Sequence, residues 1–354
     1  MCRHLAYLGP QVSLARLVLT PAHGLYEQSW APRRQTHGVV NADGFGLGWY
    51  PARPEAGEVN AAGAAGAEPA RYRRAIPIWT DQNLPELAGA IRSHAVLAAV
   101  RSATAGTGQE ETAAAPFRDG RFLFSHNGAV PDWTHLPADL ASARARTLNR
   151  SDPAETHLPA HLASAGAMIL NRSDSAEMHL PADLASARDR TLNRFDPASA
   201  GGRALDPLDP AETHLLTDPA SGSAHVLDPL DPADLLSLEA RSDTALLWLL
   251  ISRELRRGVA PDRALSTVIR AVAEVRPTAR LNFLLTDGES IFATRYGDTL
   301  WYRAGPGSIL VASEPDDEDP AAWREIPEDT LLLATEAGVV HTTPLRASYA
   351  AAEK

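Results

Sequence analysis

Met1-Cys2-Arg3-His4 opens the chain, and Cys2 is the only cysteine among its 354 residues. Loss of the initiator methionine, which a residue as small as cysteine permits, would leave that thiol on the first residue. A free N-terminal cysteine carries nucleophile and base together. Its thiol attacks a carbonyl, and its α-amino group, with a reference pKa of about 7.7 to 8.0, takes the proton. A lone cysteine near a terminus equally suits a small apolar residue buried in a first strand. The choice between the two depends on what the remaining residues supply.

Hydrophobic residues make up 44% and charged residues 22% of the chain, an ordinary globular composition with enough apolar material for a sizeable core. A net charge of -11 sets aside nucleic-acid partners, which call for a basic surface. A single cysteine excludes an internal disulfide, and the first residues lack the basic-then-apolar pattern of a secretory signal, so a cytoplasmic location is expected. Apolar runs such as residues 245–251 fall far short of the roughly 20 residues that a membrane span needs.

Working outward from Cys2, residues 3–8 suit a short strand ended by Gly9-Pro10, and residues 26–36 read as a loop holding Arg33-Arg34. Residues 41–50 alternate glycine with large apolar side chains, a period-2 pattern for a strand packed closely on another backbone. The Gly/Ala/Pro-rich residues 51–69 follow as a hairpin loop, which argues against a phosphate-binding reading of those glycines. A helix is expected over 81–92. A buried strand over 95–100 then delivers Arg101-Ser102-Ala103-Thr104 at its end, and another over 121–125 runs into His126-Asn127-Gly128.

From His135 the chain repeats itself. His135-Leu136-Pro137-Ala138-Asp139-Leu140-Ala141-Ser142 recurs from His157 and again from His179, and Leu205-Asp206-Pro207-Leu208-Asp209-Pro210-Ala211 recurs from Leu227. Proline in every unit and poorly spaced leucines suit a duplicated, mobile, partly helical insertion over 135–233 and not a solenoid. His135, His157 and His179 owe their spacing to the repeat, and no metal site is expected there. Ser242 then caps a helix over 244–257, a second helix spans 261–275, and short strands follow over 281–285, 290–295, 308–312, 330–335 and 339–343. Strands, then helices, then strands indicate an α+β, layered architecture with largely antiparallel sheets.

Cysteine-dependent amide hydrolysis requires a nucleophile, a base, donors for the developing oxyanion, and groups that hold the substrate in register. Cys2 and its amino group offer the first two. Asn127 and Gly128 could direct a side-chain amide and a backbone N–H at one oxygen. Arg101, with Ser102 and Thr104 beside it, could clamp an α-carboxylate, and Asp243 at a helix start could accept from an α-ammonium group. Each has a plainer reading: Asn-Gly alone suggests a tight hairpin turn, Arg101 a structural ion pair, Asp243 a carboxylate favoured by the helix dipole. Ser125 and His126 point to opposite faces of a strand and cannot easily share a proton.

Taken together, Met1-Cys2-Arg3-His4-Leu5, Arg33-Arg34 with Asn41-Ala42-Asp43-Gly44-Phe45-Gly46, Arg101-Ser102-Ala103-Thr104-Ala105-Gly106, Ala114-Ala115-Pro116-Phe117, Ser125-His126-Asn127-Gly128, Ser242-Asp243 and Ala312-Ser313-Glu314-Pro315 resemble the class II glutamine amidotransferases. These are N-terminal-nucleophile hydrolases, and the combination is most similar to the γ-glutamyl hydrolases of ergothioneine biosynthesis. The resemblance covers residues 1 to about 134 and 234 to about 345, and leaves 135–233 without a counterpart. It implies a four-layer αββα sandwich, with Cys2 as nucleophile, Asn127 and Gly128 as oxyanion hole, and Arg101 and Asp243 on the γ-glutamyl head group. It implies a small-molecule γ-glutamyl substrate and no cofactor. With no synthetase domain in the chain to receive ammonia, a free-standing amidase is expected. For the amine half of a hercynyl substrate, a trimethylammonium group, Trp30, Trp49 and Trp79 are candidate aromatic contacts. Two alternatives stay open: the same chemistry on a glutathione-type peptide or on glutamine, and a non-catalytic scaffold whose repeat segment contacts a partner.

Overall fold

In the computed structural model β1 (Arg3–Ser13) begins one residue after Cys2 and runs past the Gly9-Pro10 pair expected to end it. Pairing with its neighbour shifts register between Leu8 and Val12. That irregularity accommodates a proline, which has no N–H to give to a ladder. The structure describes residues 2–51, 68–104, 106–151, 227–317, 319–338 and 340–345, all within one compact unit.

In chain order the further strands are β2 (Phe45–Trp49), β3 (Ala70–Arg74), β4 (Arg92–Val100), β5 (Phe117–Asp119), β6 (Phe122–Ala129) and β7 (Arg280–Thr286). They are followed by β8 (Ser290–Arg295), β9 (Trp301–Gly305), β10 (Ser308–Ala312), β11 (Arg324–Glu325), β12 (Thr330–Thr335) and β13 (Val340–Pro344). One sheet has the order β11-β9-β10-β1-β4-β2-β3 and the other β13-β12-β8-β7-β6-β5, with every pairing antiparallel. The described helices are α1 (Leu14–Val18), α2 (Leu25–Gln28), α3 (Leu84–Ala90), α4 (Leu136–Ser151), α5 (Pro232–Leu236), α6 (Asp243–Arg256) and α7 (Pro261–Val275).

Three apolar clusters separate four layers. Leu14, Leu17, Leu25 and Leu84 of α1 to α3 pack on Phe45, Val96, Ala98 and Val100 of the first sheet. Between the sheets, Ala6, Leu8, Ala95 and Leu97 meet Leu123, Leu284, Ile291, Ala293 and Leu332. Beyond the second sheet, Trp248, Ile251, Leu265 and Val268 cover Phe124, Leu281, Phe283 and Leu285. β4 therefore reads as a continuous apolar run because both of its faces are covered. The expected αββα sandwich is what forms. The glycine alternation in β2 has a steric cause: a Cβ on Gly48 would lie 2.8 Å from Leu123 of the facing sheet, and one on Gly46 would strike the Ala115 carbonyl.

Several boundaries differ from expectation. The helix expected over 81–92 is α3, Leu84–Ala90, and the first residues of the loop expected over 26–36 belong to the single-turn α2, Leu25–Gln28. Strands β3, β5, β9 and β11 carry no period-2 signal; β3, Ala-Arg-Tyr-Arg-Arg, is a half-buried edge strand. β2 and β3 pair as a hairpin, whose connecting residues 52–67 lie outside the described residues. So do residues 152–226, with the second and third repeat units, His157 and His179. The first unit forms α4, with Leu136 and Ala143 buried and Asp139 paired to Arg276. At the other end Leu227 and Leu235 are buried, and Asp231 caps α5 by accepting from Asp234 N at 2.8 Å. No described helix is long and apolar enough to cross a membrane.

Candidate active site

Antiparallel pairing brings the start of β1, the end of β4, the start of β2 and the end of β10 together at one end of the strands of the first sheet. The registers are Arg3 with Val100, Phe45 with Val100, and Leu5 with Ala312. Cys2 therefore lies beside the segment that follows β4, its Sγ 3.8 Å from the Ser102 carbonyl oxygen. It is half-buried. Arg3 is fully buried and pairs with Glu314 at 2.9 Å. Glu314 also accepts from the Arg33 and Arg34 backbone N–H at 2.8 and 3.0 Å and bonds His23 Nε2 at 3.1 Å. Burial opposes its ionisation, yet the His23 bond and the Arg3 charge prevail and hold its carboxyl below the usual range.

Asn127 and Gly128 are not a turn. They lie inside β6, opposite Asn282 and Leu281 of β7, so the hairpin reading of the dipeptide is corrected by the ladder around it. Asn127 is fully buried, and its Nδ2 lies 3.3 Å from Ser313 Oγ. The same hydroxyl oxygen accepts from His4 N at 3.0 Å. A side chain on Gly128 would run into the Arg280 carbonyl and the His126 ring, so only glycine fits there.

Ser125 and His126 face opposite ways, as their strand demands. Ser125 Oγ is 3.1 Å from His4 Nδ1. His126 Nε2 is 2.8 Å from the Arg280 carbonyl oxygen, and its Nδ1 is 3.2 Å from Thr244 Oγ1. A carbonyl only accepts, so Nε2 carries the proton and the Thr244 hydroxyl donates to Nδ1. Burial pushes the His126 pKa down. Burial, then the neighbouring His126 and Arg3, pushes that of His4 well down. Both rings are neutral near pH 7.

Both proposed head-group residues are tied to the segment that follows β4, which also touches Cys2. Arg101 N donates to Gly44 O at 2.7 Å, and its Nη2 donates to Thr107 Oγ1 at 2.9 Å and Gly108 O at 2.7 Å. Ser242 caps α6 by accepting from Ala245 N at 3.1 Å, which sets Asp243 in the first turn. Asp243 Oδ2 accepts from Val130 N at 3.2 Å and Thr104 Oγ1 at 3.3 Å. Gly108 N donates to Arg241 O at 2.8 Å, tying the Arg101 loop to the approach of α6. Thr104 thus supports Asp243, while Ser102 offers its carbonyl to the thiol.

Sequence reasoning missed the supports. Asp43 N donates to Arg101 O at 3.0 Å, and Asp43 Oδ2 accepts from Ala103 N at 2.7 Å. Asp43, Ser313 and Glu314 sit inside the quoted stretches yet carried no role, and His23 gave no signal at all. Of the three tryptophans, Trp30 and Trp79 are exposed and edge to face at 5.7 Å. Trp49, by contrast, packs in β2 against the helix-covered core. Arg34 lies over Trp301 at 4.7 Å, an aromatic contact not anticipated.

The αββα order and the strand-end placement of Cys2, Arg101 and Asn127 fit the class II glutamine amidotransferase kind that the sequence resembles. The chain is 31% identical over 347 residues, 98% of each chain, to a γ-glutamyl-hercynylcysteine sulfoxide hydrolase of Mycobacterium tuberculosis (strain CDC 1551 / Oshkosh). Its identity to the Mycolicibacterium smegmatis protein of that description is 32% over 345 residues, 98% of this chain and 100% of the other. The chain belongs to the γ-glutamyl-hercynylcysteine sulfoxide hydrolase family. No family model matches it. Among solved structures, a glutamine aminotransferase class-II domain protein from Silicibacter pomeroyi aligns with a TM-score of 0.47 and 19% identity, over 97% of this chain and 99% of that one.

Proposed function

We propose that the chain hydrolyses a γ-glutamyl amide and releases glutamate, with γ-glutamyl-hercynylcysteine sulfoxide, the compound named in its mycobacterial relatives, as substrate. Once Met1 is removed, the α-amino group of Cys2 takes the thiol proton and Sγ attacks the γ-carbonyl carbon. Asn127 Nδ2 and Gly128 N–H hold the oxyanion. Collapse of the tetrahedral adduct expels the amine, which takes the proton back, and leaves a thioester. Water, deprotonated by the same amino group, then frees glutamate and the thiol. Arg101 binds the α-carboxylate and Asp243 the α-ammonium group.

One observation carries this reading: the four consecutive residues Arg101-Ser102-Ala103-Thr104 reach Cys2 Sγ through Ser102 O at 3.8 Å and Asp243 through Thr104 at 3.3 Å. Nucleophile and head-group carboxylate therefore lie on either side of one short segment. The exposed Trp30 and Trp79 offer an aromatic surface for the trimethylammonium group of the amine half.

Replacing Cys2 with alanine, or blocking removal of Met1, is expected to abolish glutamate release from a panel of γ-glutamyl-hercynylcysteine sulfoxide, a γ-glutamyl peptide and glutamine. Normal turnover by either variant refutes the mechanism. Faster turnover of the peptide or glutamine by the wild type replaces the substrate while leaving the chemistry intact.

A further inference from the structure

Ser313 occupies an unusual place in the β10–β1 ladder. Beyond the pair Leu5 with Ala312, Ser313 N donates to His4 O at 3.0 Å as a ladder requires. The return bond from His4 N goes to Ser313 Oγ at 3.0 Å, while Ser313 O accepts from Thr299 Oγ1 at 2.9 Å. Two residues from the nucleophile, a hydroxyl thus stands where a carbonyl would normally accept. A carbonyl could only accept, whereas a hydroxyl accepts and still has a proton to give.

Asn127 lies across the gap between the sheets from that hydroxyl. With its nitrogen toward Ser313, the amide leaves its Oδ1 as a buried acceptor without a partner. The two orientations of a side-chain amide have the same shape, and the hydrogen-bond network decides between them. Turned over, Asn127 Oδ1 accepts the Ser313 proton in a chain that runs from His4 N–H through Ser313 O–H to Asn127. Nδ2 then takes the position that has no protein partner, where it has hydrogens to give an oxyanion. Much of the intersheet core is apolar, and such contacts have no preferred direction. The seam of His4 with Ser125 and Ser313 with Asn127 does.

We propose that Ser313 is a positioning residue: it orients the Asn127 amide and registers it against the strand that carries Cys2. The inference rests on the hydrolase reading above. It is tested by a double-mutant cycle on glutamate release, using γ-glutamyl-hercynylcysteine sulfoxide and a chromogenic γ-glutamyl anilide, with melting temperatures recorded for each variant. Asn127→Ala should lower kcat by about 10²- to 10³-fold. Ser313→Ala should lower it roughly 10- to 100-fold with KM within about twofold, Ser313→Thr should restore most of the loss, and the double variant should be no worse than Asn127→Ala within about threefold. Wild-type kcat in Ser313→Ala, or losses that multiply in the double variant, would overturn the proposal while glutamate release by the wild type upholds the hydrolase reading. A wild type inactive on both substrates overturns both. If Ser313→Ala does not fold, Ser313→Cys, similar in size but a weak donor, runs the same cycle.

Discussion

The two halves of the site are built differently. The half that would perform the chemistry is embedded in sheet: His4, Asn127 and Ser313 are fully buried, and their hydrogen bonds run strand to strand. The half that would hold the glutamyl head group stands on connections. Arg101 is fixed by the loop through Thr107 and Gly108, and Asp243 by a helix start and the hydroxyl of Thr104. Attack on a carbonyl tolerates errors of only about 0.5 Å, which strands packed on both faces can enforce. Recognition of a charged head group tolerates more. A substitution in the sheet half should therefore act on kcat or on folding, and one in the loop half on KM.

Gly128→Ala should break the sheet half most severely. Its Cβ would meet the backbone carbonyl of Arg280 on the neighbouring strand, which cannot yield without breaking the ladder. We expect no measurable turnover and a melting temperature lower by roughly 8 °C or more, read by circular dichroism. A variant with wild-type melting and activity would remove the argument that this position admits only glycine. Arg101→Lys is the corresponding change in the loop half. Lysine keeps the charge and loses the fork, so KM should rise on the order of 10- to 100-fold while kcat changes less than about threefold. An equal fall in kcat with KM unchanged would erase the proposed division of labour.

The buried histidines of the sheet half also set a pH limit. His4 and His126 are held neutral by burial, and in the unfolded chain such rings titrate near about 6.5. Below that value the unfolded state binds more protons than the folded one, so stability falls as pH decreases. Above it these rings contribute no further change. Glu314, whose pKa is lowered, loses its contribution only as the pH falls further, through its depressed carboxyl pKa. Melting temperature should therefore drop between about pH 7 and pH 5. A flat profile there would show that the rings accept protons without penalty.

Legibility in the sequence follows the same division. The strand cores and α7 could be read because their periodicity reports burial directly; α7 spans Pro261–Val275 as expected. Asn127-Gly128 misled as an isolated dipeptide, because its turn preference is local and the β6–β7 ladder that overrides it is not. Chemistry and resemblance single out Cys2, Arg101 and Asp243 as candidates. Ser313 and Glu314 stood in a quoted stretch without a role, because their partners are distant in sequence: His4 arrives through β1–β10 pairing, Asn127 through stacking of the sheets, and His23 and Arg33 through a loop that folds back on Glu314. Nothing in the composition of the edge strand β3 or of β11 distinguishes them from loops.

The smallest expected effect concerns the stretch between the two halves, and the described helices narrow where it can be cut. Deleting the whole of 137–232 would remove α4 and the Asp139–Arg276 pair, along with the buried Leu227, and should destabilise the helical layer over the second sheet. Replacing only 152–226 would spare all of these. Arg144 Nη1 donates to Leu227 O at 2.9 Å, so Ser151, about seven helical residues or roughly 10 Å along the helix from Arg144, lies at most an arginine's length beyond that from the point where the chain returns. A Gly/Ser linker of about eight residues spans that distance with slack. The shortened chain should release glutamate within several-fold of the wild-type rate and melt within a few degrees of it, because closing a shorter loop slightly lowers the entropic cost. A large rise in KM with kcat intact would instead assign the removed residues to the loop half of the site. Loss of soluble protein would assign them to the core.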